Sequence, residues 1–137
     1  MVISTYNYLP EEALKVRMTV FVDEQGFIDE VDEIDSRAIH FVVFNDGQAI
    51  ATCRLFLKDN KYILGRFAVI KAFRKNGIGR KLLTAAEEYV KNKGYNELRL
   101  HSQIRAAVFY EKCGYHRFGE IELEENYPHI WMKKELN

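Results

Sequence analysis

Cysteine, proline and long apolar runs are scarce in this 137-residue sequence, and each scarcity excludes a class of protein. The only two cysteines, Cys53 and Cys113, form no CxxC pair, so neither a disulfide framework nor a structural zinc site is indicated, and we expect a reducing compartment. Proline occurs only at positions 10 and 128, and no linker, repeat or low-complexity tract divides the chain. We therefore expect a single domain over residues 1–137.

Membrane and secretion signals are also lacking. No apolar run approaches the roughly 18 residues that a membrane-spanning helix needs. The first ten residues, MVISTYNYLP, have neither the basic nor the apolar region of a signal peptide. These absences predict a cytoplasmic protein with no membrane partner. The 47% hydrophobic residues are enough to build a core, so disorder is excluded.

Charge of one sign is not in excess, because 20 basic residues balance 20 acidic ones. A protein that tracks nucleic-acid phosphates normally has a basic excess, so we expect no nucleic-acid partner. The balance is uneven along the chain, however. Residues 23–35 carry seven acids and no base, whereas residues 71–81 carry five bases and no acid. This pattern suggests that the basic run forms a site for an anion and that the acidic run forms a second site with a negative electrostatic potential.

The hydrophobic periodicity predicts an α+β fold with a mostly antiparallel sheet. After an initial strand, Pro10 and two following acids start a helix that runs to about Glu24 and stops at Gly26. Asp46-Gly47 is a hairpin signal between two strands. The other predicted elements are strands at 39–45, 49–57, 62–70, 96–102, 115–123 and 128–134, and helices at about 77–93 and 104–113.

Two glycines stand at the predicted start of the helix at 77–93, within the run Arg74-Lys75-Asn76-Gly77-Ile78-Gly79-Arg80. Free N–H groups at a helix N-terminus attract anions, and residues without a Cβ let a phosphate approach the backbone closely. An ordinary surface loop with basic residues is the alternative. Since a glycine costs roughly 1 kcal/mol inside a helix, a phosphate site is the better explanation.

The spacing of these glycines excludes two common phosphate motifs. The nucleotide loop GxxxxGK[ST] is absent, and the dinucleotide pattern GxGxxG fails because Leu82 stands at its third glycine. The pattern that remains is R-x-x-G-x-G after a strand. It resembles the pyrophosphate loop of the GNAT superfamily of acyl-coenzyme A-dependent N-acetyltransferases.

Four segments carry the same resemblance. Residues 66–83 resemble the family's fourth strand and central helix, and AAVFYEKCGY at 106–115 resembles its A-x-x-FY-x-x-x-GF segment, with Tyr115 in place of the usual Phe. Residues 17–40 and the segment His129-Ile130-Trp131-Met132 are similar to the branch typified by the ElaA and YjcF proteins. Together the segments span residues 12–134.

The resemblance implies a GNAT fold, in which a twisted, mainly antiparallel sheet is flanked by helices and its fourth and fifth strands splay apart. Acetyl-coenzyme A would lie in that split. Backbone groups of Phe67, Ala68 and Val69 would bind its pantetheine arm, with the Val69 N–H polarising the thioester carbonyl. The pyrophosphate would be held by the loop residues Arg74, Lys75, Asn76, Gly77, Ile78, Gly79 and Arg80.

The resemblance also implies that Tyr110 protonates the departing thiolate, although a tyrosine packed in the core of a short helix is the alternative. The sequence offers several candidates for the base that deprotonates the amine. Glu24 is one, acting through a water. His40, His101 and His129 are others because imidazoles titrate near neutral pH, although a lone histidine is more often structural. We expect substrate contacts from Gln25, His40, His101, Gln103 and His129.

The acidic stretch at 23–35 has three interpretations: a solvated loop, a negative wall that attracts a cationic amine, or a calcium loop. The calcium spacing D-x-[DN]-x-[DN]-G is not met, and we expect no metal. The seven acids therefore favour a small primary amine as the acceptor.

The expected activity is transfer of an acetyl group from acetyl-coenzyme A to that amine by direct attack. The alternatives are an acyl-coenzyme A-binding module without turnover and an enzyme with another acyl donor or acceptor. Members of the family often dimerise, which makes a homodimer one expected arrangement, although no residue in the sequence fixes it.

Overall fold

The structure is a computed structural model that describes residues 1–28 and 31–137. Within this part of the chain, seven strands and three α-helices alternate in the predicted order. Their bounds are β1 Val2–Tyr6, α1 Glu11–Arg17, β2 Ile39–Asn45, β3 Gln48–Lys58, β4 Lys61–Val69, α2 Ile78–Asn92, β5 Glu97–Gln103, α3 Ala107–Lys112, β6 His116–Glu124 and β7 Tyr127–Glu135.

The strands form one sheet in the order β1-β2-β3-β4-β5-β7-β6. The β4–β5 pair is parallel, and every other neighbouring pair is antiparallel. This arrangement confirms the α+β class and the mostly antiparallel sheet. The hairpin at Asp46-Gly47 is also confirmed, because both residues have positive φ (50° and 80°), as a type I′ turn requires.

The predicted first helix has two parts. The α-helix α1 ends at Arg17, and a π-helical segment, Met18–Glu24, continues it. At the end of this segment the N–H of Gln25 donates to the carbonyl of Val20, five residues earlier, as in a π-helix. Gly26 follows with a positive φ of 78°. Single π-turns often occur at functional sites, and the periodicity of the sequence did not predict this one.

The main core lies between the sheet and α2. The buried residues Leu82, Ala86 and Val90 of α2 pack with Leu98 and Leu100 of β5, and each of the five is at most 2% exposed. Burial of a leucine-sized side chain contributes roughly 1.5–3 kcal/mol, so this face fixes α2, and with it the loop before α2, against the sheet.

A gap opens between β4 and β5 because their pairing stops early. The register joins Tyr62, Ile63 and Leu64 to Leu98, Arg99 and Leu100, and no later pair forms. At this point β4 contains a bulge against β3, with Arg66 at φ of 47°. A bulge bends its strand and increases the local twist, so the C-terminal part of β4 turns away from β5. The predicted splay of the fourth and fifth strands is thereby confirmed.

None of the helices in the described ranges has the length and apolar character of a membrane-spanning helix.

Candidate active site

A cavity of about 860 Å³ occupies the gap between β4 and β5. Its walls come from the ends of these two strands, the start of α2, α3, the β6–β7 hairpin and the segment around Gln25. The cavity therefore passes from one face of the sheet to the other at the place where the strands separate.

The edge of β4 that faces the gap carries main-chain groups without a strand partner. The N–H of Ile70 donates to the Ile50 carbonyl of β3 at 2.9 Å. Successive residues of an extended strand turn their N–H and C=O groups to opposite edges, so those of Val69 and Phe67 point into the gap. Those of Ala68 point toward β3, which corrects the expectation that all three residues offer main-chain groups to a ligand. An extended ligand with amide groups could pair with this edge.

The N-terminus of α2 lies at the mouth of the same cavity. Gly77 is its N-cap, with φ of 77°, and no side chain caps the helix. The space that a Cβ would occupy at Gly77 is open, with no atom within 4 Å. Gly79 is confined instead, since a Cβ there would lie 3.2 Å from the ring of Phe109. Free N–H groups and open space at a helix N-terminus suit a phosphate group.

Of the ten predicted cofactor-binding residues, eight line the cavity and two do not. Phe67, Ala68, Val69, Arg74, Lys75, Gly77, Gly79 and Arg80 contribute to its wall. Ile78 is buried in the core at 6% exposure, and Asn76 is exposed outside the lining. The side chain of Ile78 packs in the core, so this residue can contribute only its main-chain N–H group.

Arg74 is already engaged on two sides. Its Nε donates to the Val69 carbonyl at 2.9 Å, and its two Nη atoms donate to the carboxylate of Glu24 at 2.5 and 2.7 Å. The hydrogen bond from Arg74 lowers the pKa of Glu24, which makes its carboxylate a weaker base, and Glu24 does not line the cavity. The geometry therefore does not favour Glu24 as the general base.

Tyr110 projects from α3 into the core face of the gap. It is 7% exposed, lines the cavity and packs edge-on against the ring of Phe67 at 5.8 Å. No hydrogen bond to its hydroxyl occurs among the described residues. Burial raises the pKa of this phenol well above its ordinary value, so the hydroxyl stays protonated at neutral pH. The group can donate a proton into the cavity but is a poor base.

Four of the predicted substrate residues meet at the opposite face of the gap. Gln25, His101, Gln103 and His129 all line the cavity. The Gln103 amide donates to the Gln25 side chain at 3.1 Å, and the hydroxyl of Tyr127 donates to the Gln25 main-chain carbonyl at the same distance. These bonds join the π-helical segment to β5 and β7.

The fifth predicted substrate residue, His40, does not reach the cavity. Its ring is 1% exposed on β2, and its Nε2 lies 3.0 Å from the Asp35 carbonyl. Burial lowers its pKa. The expectation failed because strand alternation alone does not show which face of the sheet the site occupies.

Glu124 and Trp131 also line this side of the gap, and Glu122 lies next to His101. Sequence reasoning missed all three as site residues. Together, His101, His129, Glu122 and Glu124 are called the His–Glu cluster below. In it, Nδ1 of His101 lies 3.1 Å from Oε2 of Glu124, and the His101 ring stacks on Trp131 at 4.7 Å. The alternation Glu122-x-Glu124 near Tyr127-x-His129-x-Trp131 was the available signal, since it places each set on one strand face.

The acidic stretch at 23–35 does not form a wall of free carboxylates in its described part. Buried Asp35 accepts from Arg17 and Arg54 at 2.9 and 2.8 Å, and Arg54 also donates to Asp32 at 2.7 Å. Glu24 and Glu33 are paired with arginines as well. Residues 29 and 30 lie outside the described residues. Most described acids of the stretch thus neutralise arginines, which removes the reason for assigning the amine to them.

Comparison with known proteins assigns the family. The family model described as "Acetyltransferase (GNAT) domain" matches residues 7–136. The N-acetyltransferase YjcF of Bacillus subtilis, itself uncharacterised, is 33% identical over 128 residues, which cover 91% of each chain. An acyl-CoA N-acyltransferase from Pseudomonas aeruginosa has a similar structure, with a TM-score of 0.85, 25% identity and coverage of 97% of this chain and 98% of that one.

The fold of Escherichia coli ElaA also matches, with a TM-score of 0.86 and 22% identity over 98% of this chain and 99% of that one. The chain therefore belongs to the GNAT acetyltransferases, with YjcF among its relatives, and acyl transfer is the activity class of this family.

Proposed function

We propose that this protein is an N-acetyltransferase that transfers the acetyl group of acetyl-coenzyme A to the primary amine of a small molecule. The observation that carries the proposal is the uncapped N-terminus of α2, surrounded by Arg74, Lys75 and Arg80, at the mouth of a gap along which, within the described part of the chain, the main chain of β4 has no neighbouring strand. Open space at Gly77 accommodates a diphosphate, and the edge of β4 suits the amides of a pantetheine arm.

When bound, the coenzyme would supply a thioester as the electrophile. The loop 74–80 would hold its diphosphate, and the backbone of Phe67 and Val69 would align the pantetheine arm along β4. The N–H of Val69 is available to polarise the thioester carbonyl. Tyr110 would donate its hydroxyl proton to the departing sulfur, for which its protonated state at neutral pH is suited.

Direct attack by the amine is favoured over an acyl-cysteine intermediate. Cys53 and Cys113 are 1% and 9% exposed, and neither lines the cavity. Burial raises the pKa of both thiols, so neither forms the thiolate that a nucleophile requires. The two substrates would therefore be bound together before the reaction.

Two measurements test the proposal together. Calorimetry with coenzyme A should give one site per chain, and release of free thiol from acetyl-coenzyme A should depend on an amine drawn from a panel of alkylamines, arylalkylamines and amino sugars. Binding without thiol release for any amine would leave a coenzyme A-binding module. Failure to bind coenzyme A and acetyl-coenzyme A alike would remove the proposed function.

A further inference from the structure

The His–Glu cluster lies on the face of the sheet opposite to Tyr110. Tyr110 packs in the core that contains Leu100, and successive side chains of a strand point to opposite faces, so His101 points away from that core. The register places Trp131 beside His101, and His129 beside both Gln103 and Glu122. A thioester held in the gap would therefore have Tyr110 on one side and the His–Glu cluster on the other.

The hydrogen bonds of the two histidines fix where their protons lie. Nδ1 of His129 lies 2.9 Å from the Tyr127 carbonyl, which can only accept, so Nδ1 carries a proton and, in the neutral ring, Nε2 carries the lone pair. His101 shares Oε2 of Glu124 through its Nδ1. Burial lowers the pKa of His101 and favours its neutral form, in which Nδ1 donates to Glu124 and Nε2 again carries a lone pair.

The cluster consequently has more acceptors than donors. Nε2 of His129 faces Oε2 of Glu124 at 3.7 Å, and Nε2 of His101 faces Oε1 of Glu122 at 3.5 Å. Both contacts bring a lone pair toward a carboxylate. The His129 side chain is only 9% exposed, and within the described ranges its Nε2 makes no hydrogen bond. Among the described residues, Nε2 of His101 is fully buried without a hydrogen-bond partner, which is costly, whereas Nε2 of His129 is not among such buried atoms. Because His129 lines the cavity, a cation with several N–H groups can donate to its Nε2.

We propose that the acceptor amine binds here as an ammonium ion held by Glu124, and that Nε2 of His129 is the base that removes its proton. The inference rests on the proposed function and deepens it by assigning the amine's charge state and its base. Nε2 of His101 is fully buried, so His101 is a positioning residue that orients Glu124 and stacks on Trp131.

The N–H bond of the ammonium breaks, its proton goes to Nε2 of His129, and the electron pair stays on nitrogen. That pair forms the N–C bond to the acyl carbon as the C–S bond breaks, and the sulfur takes the hydroxyl proton of Tyr110. The second proton lost by nitrogen returns to the Tyr110 oxygen, which leaves an amide, a free thiol and a protonated His129.

His129→Gln tests the base with two acceptors of similar shape, an alkylamine that is protonated at neutral pH and its trifluoromethyl analogue, which is neutral. We expect kcat/KM for the protonated amine to fall about 100-fold, the scale of general base catalysis. The fluorinated amine needs no initial deprotonation, so its kcat/KM should change less than about threefold by the same principle. An equal loss with both amines would assign His129 a structural role and overturn the proposal.

Glu124→Gln is the second variant, and its exposed position makes misfolding no concern. It should raise KM for the protonated amine about tenfold, as expected for a lost charge-assisted hydrogen bond, and leave KM for the fluorinated amine unchanged. Glu120→Gln on the exposed face of β6, outside the cavity lining, is the matched control and should behave as wild type.

An unchanged KM in Glu124→Gln would also overturn the inference. Calorimetry with coenzyme A on each variant distinguishes failure of the amine-site inference from failure of the proposed function. If the wild type turns over amines and these variants do so equally well, the inference fails alone. If the wild type neither binds coenzyme A nor releases thiol, the proposed function fails with it.

Discussion

The two sides of the gap are built from different parts of the polypeptide. The donor side, formed by β4 and the loop 74–80, offers main-chain groups from residues close together in sequence. The acceptor side is made of side chains that lie far apart in sequence, such as Gln25, His101 and His129. A site made of backbone tolerates changes of side chain that keep φ and ψ, whereas a site made of side chains depends on every partner that holds them.

The charges of the two sides differ in the same way. Cations surround the mouth of the donor side, and carboxylates of the β6–β7 hairpin surround the acceptor side. A diphosphate and an ammonium ion would thus be attracted to opposite ends of one cavity, which keeps each substrate out of the other's place.

The largest expected effect concerns the buried cluster of Asp35, Arg17 and Arg54, of which Arg54 lines the cavity. Asp35→Asn removes the charge that Arg17 and Arg54 share, and removing one partner of a buried ion-pair cluster costs about 3–5 kcal/mol of unfolding free energy. The matched control is Glu33→Gln, which breaks the exposed pair with Arg37 and should cost less than about 1 kcal/mol. Denaturant titration of both variants measures the difference, and equal losses would contradict the structural importance of the buried cluster.

The same cluster gives the stability a pH dependence. Burial raises the pKa of Asp35, but hydrogen bonds and charges of the two arginines outweigh it and hold this pKa well below its ordinary value. The lowered folded-state pKa means that the stabilisation is complete above the unfolded value, near 3.9, and is lost as pH falls below it. Asp35→Asn should therefore lose less stability on acidification than the wild type does.

The next effect separates chemistry from binding on the core face of the gap. Tyr110→Phe removes the proton donor and should lower kcat about 100-fold, while the Kd for coenzyme A stays the same because the loop 74–80 is untouched. Stopped assays for kcat and calorimetry for Kd make the comparison. A parallel loss of both would show that Tyr110 serves the core instead of proton transfer.

A third change tests whether the donor side really depends on its backbone. Gly77→Ala and Gly94→Ala both place a Cβ on a residue with positive φ and open space around it. Each should cost about 1 kcal/mol of stability. Only Gly77→Ala also places its Cβ in the space that a diphosphate would use, and a loss of about 1 kcal/mol of binding free energy there would weaken coenzyme A binding about fivefold. A loss of affinity in Gly94→Ala would mean that general destabilisation explains the effect.

The smallest effect concerns the contact between Glu24 and Arg74. Because Glu24 occupies the guanidinium that a diphosphate would need, Glu24→Gln should tighten coenzyme A binding about threefold, in line with the modest free energy of an exposed ion pair. The maximal rate with a good amine should stay within about twofold of wild type on the same grounds. A large loss of rate would restore Glu24 as the candidate base.

The sequence predicted the donor side better than the acceptor side, for a physical reason. Helix periodicity and the glycines at 77 and 79 are local signals, and they identified α2, its start and the candidate phosphate loop. The gap itself was inferred through family resemblance, because the bulge near Arg66 depends on the register of β3 against β4.

The acceptor side was predicted only in fragments. His101 and His129 were named, but their common partner Glu124 was not, since their proximity depends on how β5, β7 and β6 pair. The acidic residues 23–35 gave a misleading signal for the same reason. Arg17 and Arg54, which neutralise Asp35, come from α1 and β3, and no local pattern shows that the fold brings them together.

A crystal structure of the protein with coenzyme A and an amine acceptor would show directly whether the gap between β4 and β5 holds both substrates. We expect the diphosphate on the N–H groups that follow Gly77, the thiol between Tyr110 and His129, and the amine nitrogen within hydrogen-bond distance of Glu124. A diphosphate bound away from this loop, or an amine bound among the acids of residues 23–35, would contradict this expectation.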